Sequence, residues 1–248
     1  METVIKELRD HIAILRLNSG RANPISSKLV DELSKALVEI KGVASGLVLC
    51  GGDKFFSAGF NLPELLTLDR QAMGNFFERF NHLCMELFTV PIPTVCALSG
   101  HAVAGGNILA LACDYRYAAA EDKKIGLNEV KLGLPVPYLA DMMLRHIIGN
   151  RYATHMIYSG EFMTFSDAKI VGLVDVIGSA DELEDFTLDR LSRIANLPNQ
   201  AFSAAKANKV ERIKKRYEEY YQSKNDEFLD CWFSDPAQKN LREAAAKF

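Results

Sequence analysis

Residues 94–116 read TVCALSGHAVAGGNILALACDYR, and the order of signals in this stretch decides the fold class. Thr94 to Leu98 is a short apolar run entered through Val90-Pro91-Ile92-Pro93. The prolines force a turn, and the run predicts a strand buried on both faces. Ser99 to Asn107 is a loop of small residues, which lets a ligand come close to the backbone. Ile108 to Cys113 predicts an apolar helix, and strand character resumes at Tyr115 to Ala119. A helix that begins near Gly105 and Gly106 leaves its first N–H groups free, with a dipole that favours negative charge. Strand, glycine loop, helix and strand in that order predict an α/β crossover, with the ligand side beyond the strand's carboxyl end.

The same grammar recurs upstream. Gly46 to Cys50 is another buried strand, broken by Gly51-Gly52-Asp53 and followed by a second small-residue loop, Phe55 to Leu62. Ile12 to Leu17 is a strand candidate ended by Asn18-Ser19-Gly20. Ser26 or Ser27 caps a helix in which Leu29, Val30, Leu33, Leu37 and Ile40 recur at helical spacing. Phe76 to Phe88 also reads as helix. Beyond about Pro198 the strand pattern stops. Residues 201–207, 210–221 and 228–233 read as three charged, aromatic helices forming an all-helical appendage.

Composition narrows the function classes. The 248 residues are 48% hydrophobic and 25% charged with a net charge of −3, so no overall basic field recruits nucleic acid or anionic membrane. The one basic stretch, Lys206 to Arg216, is interleaved with glutamates and reads as a solvated helix face. Five scattered cysteines lack metal-ligand spacing and sit in apolar runs, which reads as buried reduced thiols. His11, His82, His146 and His155 form no metal pattern either. No secretory pattern opens the sequence and no apolar run is long enough to span a bilayer. The expected setting is the cytoplasm, or a mitochondrial or peroxisomal matrix if the source is eukaryotic.

Two segments together carry a family resemblance. Ser57-Ala58-Gly59-Phe60-Asn61-Leu62 resembles the first oxyanion loop of the crotonase, or enoyl-CoA hydratase/isomerase, superfamily. Gly100 to Gly106, running into Leu111-Ala112-Cys113-Asp114-Tyr115-Arg116, resembles its second. The resemblance runs from about Ile12 through Ile177 and more loosely to the carboxyl end. It implies an α/β crotonase-type ββα spiral core over 1–197 and a helical trimerisation region over 198–248. It implies a homotrimer or a hexamer built as a dimer of trimers, acyl-coenzyme A as substrate, and no separate cofactor or metal. By matched position, the amides of Phe60 and Gly105 would hold the thioester oxygen. Arg21, Ala22, Ser57 and Ala58 would contact coenzyme A, and Ile108, Leu134 and Pro137 would line the acyl pocket. Lys247 and Phe248 are candidates to reach a neighbouring subunit's ligand.

Glu129 is the single carboxylate in the apolar stretch Ile125 to Pro135. On residue type alone an exposed glutamate paired with Lys131 reads equally well. Under the resemblance it falls on one of the two catalytic glutamates of the hydratases, and the position of the other is occupied by Ile108. Hydration needs a water held by carboxylates, whereas moving a double bond needs one base that takes a proton and returns it. Residues 113–116, 125–129 and 135–138 are also similar to the mitochondrial-type Δ3,Δ2-enoyl-CoA isomerases. A single-glutamate Δ3-to-Δ2 isomerase is therefore expected. The alternatives are a hydratase or another crotonase-fold lyase or hydrolase, and a catalytically silent acyl-CoA- or RNA-binding relative.

Overall fold

The computed structural model describes residues 2–119 and 122–246. The chain opens with strands β1 (Val4–Arg9) and β2 (Ile12–Leu17), helix α1 (Ser27–Ile40), and strands β3 (Gly46–Cys50) and β4 (Phe55–Ser57). Next come α2 (Leu62–Leu65), α3 (Arg70–Thr89), β5 (Thr94–Leu98), β6 (His101–Val103), α4 (Gly105–Leu111) and β7 (Tyr115–Ala119). Then follow β8 (Lys124–Gly126), a 3-10 turn over Glu129–Leu132, α5 (Tyr138–Ser159), β9 (Met163–Thr164) and α6 (Phe165–Ile170). The chain closes with β10 (Val176–Gly178), α7 (Leu183–Ala195), α8 (Asn199–Trp232) and α9 (Asp235–Ala245).

A six-stranded sheet has the order β1-β2-β3-β5-β7-β10, antiparallel only at the β1–β2 edge. A four-stranded sheet, β4-β6-β8-β9, joins the short strands that follow β3, β5 and β7 to β9, which follows α5. Alternation along the buried strands explains why both faces of the large sheet are apolar. Ala13, Leu15, Leu47, Leu49, Cys96 and Leu98 point into the main core with α1, α3 and α4. Ile12, Ile14, Val48, Cys50, Val95 and Ala97 point the other way, under Leu183 and Leu191 of α7. The fit there is close, since a Cβ on Gly46 would lie 3.2 Å from Leu191. Helix α1 starts where expected, with the Ser26 hydroxyl accepting from the Leu29 amide at 3.1 Å.

Two expectations from the sequence are overturned. The helical tail is not three helices: residues 199–232 form one continuous helix. The charged stretches that read as breaks are its exposed turns. The short strands of the second sheet, and the edge strand β1, were not foreseen. Lys206 does not belong to a solvated face, being only 4% exposed. Its ammonium donates to the Ile92 carbonyl at 3.0 Å and to Asp114 Oδ2 at 2.7 Å. Asp114 in turn accepts from the Thr94 amide, the Thr94 hydroxyl and Lys209. Burial pushes the Asp114 carboxyl up, but the two ammonium groups outweigh it and hold it below the usual range. This cluster locks the start of α8 to the start of β5. Removing one partner of a buried pair leaves the other charge uncompensated, so Lys206→Met is expected to cost about 3 kcal/mol in urea unfolding. A loss below about 1 kcal/mol would show that the pair holds little.

Further along, α8 lies on α3. The rings of Phe77 and Phe228 stack at 3.9 Å and Asn81 donates to Asn225. The tail is thus packed into the same core as the sheets. Lys247 and Phe248 lie outside the described residues.

Candidate active site

A cavity of about 560 Å³ opens where the short strands end, and its wall draws on both small-residue loops, the 3-10 turn and the helical tail. The first loop leaves β4 and is held by its own backbone. Ala58 N–H donates to Ala22 O at 2.9 Å, Ile25 N–H to Gly59 O at 2.8 Å, and Asn61 N–H to Ile25 O at 2.9 Å. That pattern bridges Ile25 and Phe60 and leaves the Phe60 N–H out of the ladder. The second loop leaves β6 and turns into α4 through Ala104, at φ 49° and ψ −126°. A side chain rarely tolerates such a backbone. The Ala104 amide is pinned to Gly126 O at 2.9 Å, which fixes the direction in which α4 begins. Gly105 is the first residue of α4, so its N–H has no acceptor within the helix.

The loops touch. A Cβ on Gly59 (φ 93°) would sit 3.1 Å from the Gly105 nitrogen, and one on Gly106 would sit 2.3 Å from the Ser57 carbonyl oxygen. Both positions require glycine because backbone meets backbone there. Phe60 and Gly105 consequently border the same cavity.

Glu129 begins the 3-10 turn, which is closed by Leu134 N–H donating to Glu129 O at 3.0 Å and by Gly133 at φ 82°. The exposed reading fails: the residue is 6% exposed, and its Oε2 has no hydrogen-bond partner among the described residues. Burial pushes its carboxyl up to about 7, against a smaller downward pull from the amides of Asn128 and of Glu129 itself. Between 4.5 and about 7 the folded protein keeps a proton that the unfolded chain has released. Stability therefore falls as pH climbs through that window, by up to about 3 kcal/mol. Glu129→Gln removes the dependence, and its melting temperature is expected to exceed that of the parent at pH 8 but not at pH 4. Equal melting at pH 8 would argue against a desolvated carboxylate.

Of the residues singled out by sequence, Arg21, Ala22, Ala58, Phe60, Gly105, Ile108, Glu129, Leu134 and Pro137 all border the cavity. Ser57 lies behind the wall. It is fully buried, with its hydroxyl donating to Asn23 O at 2.7 Å and accepting from Gly59 N–H at 3.2 Å, so it braces the loop. Ile108 is 1% exposed and brings only hydrocarbon. Arg21 and Lys54 are the cations of the wall and Glu129 its single carboxylate. His101 rests against the Phe55 ring at 5.1 Å and accepts from the Lys124 amide through Nδ1. Burial and the neighbouring lysines keep its imidazole below the usual range. Sequence reasoning missed Lys54, whose only cue is its place before the first loop. It also missed Trp232, Leu241 and Ala244, which reach the wall from the tail and carry no local signal. Among the described residues no cluster suits a metal ion, and no helix is long and apolar enough to cross a membrane.

The enoyl-CoA hydratase/isomerase family model matches residues 7–245. A probable enoyl-CoA hydratase of Bacillus subtilis is 34% identical over 188 residues, 74% of this chain and 72% of that protein. Probable enoyl-CoA hydratase echA17 of Mycobacterium avium is 31% identical over 199 residues, 79% of this chain and 77% of that protein. In fold, human mitochondrial delta3-delta2-enoyl-CoA isomerase superposes with a TM-score of 0.95 at 24% identity, covering 99% of this chain and 97% of that one. Enoyl-CoA hydratase from Bacillus halodurans superposes with a TM-score of 0.89 at 22% identity, covering 97% and 99%. The family match spans nearly all of the described residues and the superposition spans nearly the whole chain, and the chain belongs to the enoyl-CoA hydratase/isomerase family, with the crotonase fold.

Proposed function

We propose that this protein is a Δ3,Δ2-enoyl-CoA isomerase working with one acid/base group. The observation that carries the reading is the pairing of a lone, buried carboxylate, Glu129, with a hydrocarbon residue, Ile108, in a cavity wall otherwise short of acids. Coenzyme A lies toward Arg21, Ala22 and Ala58, and the acyl chain toward Ile108, Leu134 and Pro137. Glu129 removes a proton from C2 of a 3-enoyl thioester. The C2–H electron pair becomes the C1–C2 double bond of a dienolate that still holds C3=C4, and the carbonyl pair moves onto the thioester oxygen. The amides of Phe60 and Gly105 stabilise that charge; each such donor is worth about 3 kcal/mol of barrier. The carboxylic acid of Glu129 then returns the proton to C4, which shifts C1=C2 to C2=C3, restores the carbonyl and leaves the conjugated 2-enoyl thioester. A carboxyl near neutrality suits both halves of this transfer, because neither direction is steeply uphill.

The curated relatives named as probable hydratases favour a second reading, addition of water across the 2-enoyl double bond. One assay separates the two. Crotonyl-CoA should keep its conjugated absorbance when enzyme is added, while a 3-enoyl-CoA should gain it. Rapid loss of the crotonyl signal, with no gain from the 3-enoyl substrate, makes the protein a hydratase instead.

A further inference from the structure

Glu129 Oε2 has no hydrogen-bond partner among the described residues, and the amides that pull on its carboxyl are those of Asn128 and of Glu129 itself. The direction of the carboxylate is therefore set by the 3-10 turn that carries it. That turn is four residues long, and so short a stretch does not hold its shape in isolation. Two helices clamp it. On one side is the end of α5, where a Cβ on Gly160 would lie 3.0 Å from both Lys131 Cγ and Val130 Cγ1. On the other is α9. A Cβ on Gly133, the left-handed residue that closes the turn, would lie 3.2 Å from Ala237 Cα and 3.3 Å from Ala237 Cβ. One turn further along α9, Asn240 Nδ2 donates to the Lys131 carbonyl at 3.4 Å. Helix α9 is anchored without help from any ligand. The Ser234 hydroxyl caps it, accepting from the Ala237 amide at 3.4 Å, and Gln238 donates to the Trp232 carbonyl at 2.8 Å. Ala237 is 0% exposed, so the contact with Gly133 has no slack.

We infer that Ala237 and Asn240 of α9 are positioning residues for the acid/base group: through Gly133 and the Lys131 carbonyl they hold the turn that fixes where the Glu129 carboxylate points. The inference rests on Glu129 being that group and holds equally for isomerisation and hydration. Two variants test it. Ala237→Val crowds Gly133 and is expected to lower kcat by about 10–100-fold, the usual loss when a reacting group is misplaced by about 1 Å. Asn240→Leu sits at a half-buried position, so it keeps the fold while removing the bond to Lys131. A fall in kcat of about threefold is expected there, the worth of one weak hydrogen bond. In each variant kcat should fall further than the affinity for a saturated acyl-CoA. The inflection of kcat/KM against pH should also move down from near 7 toward ordinary carboxyl values, because a displaced turn admits water to the carboxylate. Arg21 and Lys54, the other charged residues of the wall, and Lys131 on the turn are present in parent and variants alike. Gly46→Ala, which crowds Leu191 on the far face of the large sheet, is the control that loses stability with the site intact. Its inflection should stay parental. An inflection that stays near 7 in Asn240→Leu and in any folded Ala237→Val, or that Gly46→Ala moves as far, overturns this inference alone. Parental activity in Glu129→Gln overturns the choice of acid/base group and this inference with it.

Discussion

Glu129→Gln is expected to lower kcat on a 3-enoyl-CoA by about 10²–10⁴-fold, the usual worth of a positioned acid/base group, while leaving the affinity for acyl-CoA nearly unchanged. The substitution keeps the shape of the side chain and the 3-10 turn that carries it, so what disappears is the proton carrier. Steady-state kinetics beside direct binding of a saturated acyl-CoA would read the two effects separately. The parent enzyme adds a second signature. Its kcat/KM should rise with pH through a value near 7 and then level, because the free enzyme needs the carboxylate, which burial holds protonated to about that pH. A Gln variant retaining more than a tenth of the parent rate would remove Glu129 from the mechanism, and a profile already flat from pH 5 upward would argue against the buried carboxylate as base.

Gly106→Ala is expected to be nearly as damaging, by a different route. The added methyl would lie 2.3 Å from the Ser57 carbonyl oxygen and 2.9 Å from the Ser57 carbonyl carbon. Backbone cannot swing aside as a flexible side chain can, so the two loops must part. Overpacking of this kind costs about 1–3 kcal/mol of stability. Parting the loops also moves the Gly105 N–H relative to that of Phe60. On the proposed mechanism, losing one of two donors raises the barrier by about 3 kcal/mol, or about 10²-fold in rate. Kinetics at a temperature well below the variant's melting point would isolate the catalytic part. If the folded variant turned over at the parental rate, the contact between the loops would matter for packing alone.

How much of this was readable in advance depended on what kind of force set each feature. Strands β3, β5 and β7 are apolar because helices cover both faces of the sheet, and that leaves a run any periodicity argument can find. Strands β4, β6, β8 and β9 are two or three residues long and exist because partners from elsewhere in the chain lie alongside; nothing local marks them. Lys206 shows the same limit. Interleaved charge describes a helix face, but it does not say that one lysine of that face lands on Asp114. In the site, the glycine loops and Glu129 could be found because close backbone approach and an isolated carboxylate are chemical oddities within a short window. Trp232, Leu241 and Ala244 could not, since an apolar residue on a distant helix looks the same whether it faces a cavity or a core.

The placement of those last three residues has a consequence for synthesis. Ribosomes deliver Arg21 well before Ala244. A nascent chain that already owns both glycine loops and Glu129 still lacks one side of its cavity, and exposes that greasy hollow until Trp232, Leu241 and Ala244 have been added. Helices α8 and α9 thus close the hollow, and a chain interrupted before them would present an open hydrophobic hole to whatever chaperone stands nearby.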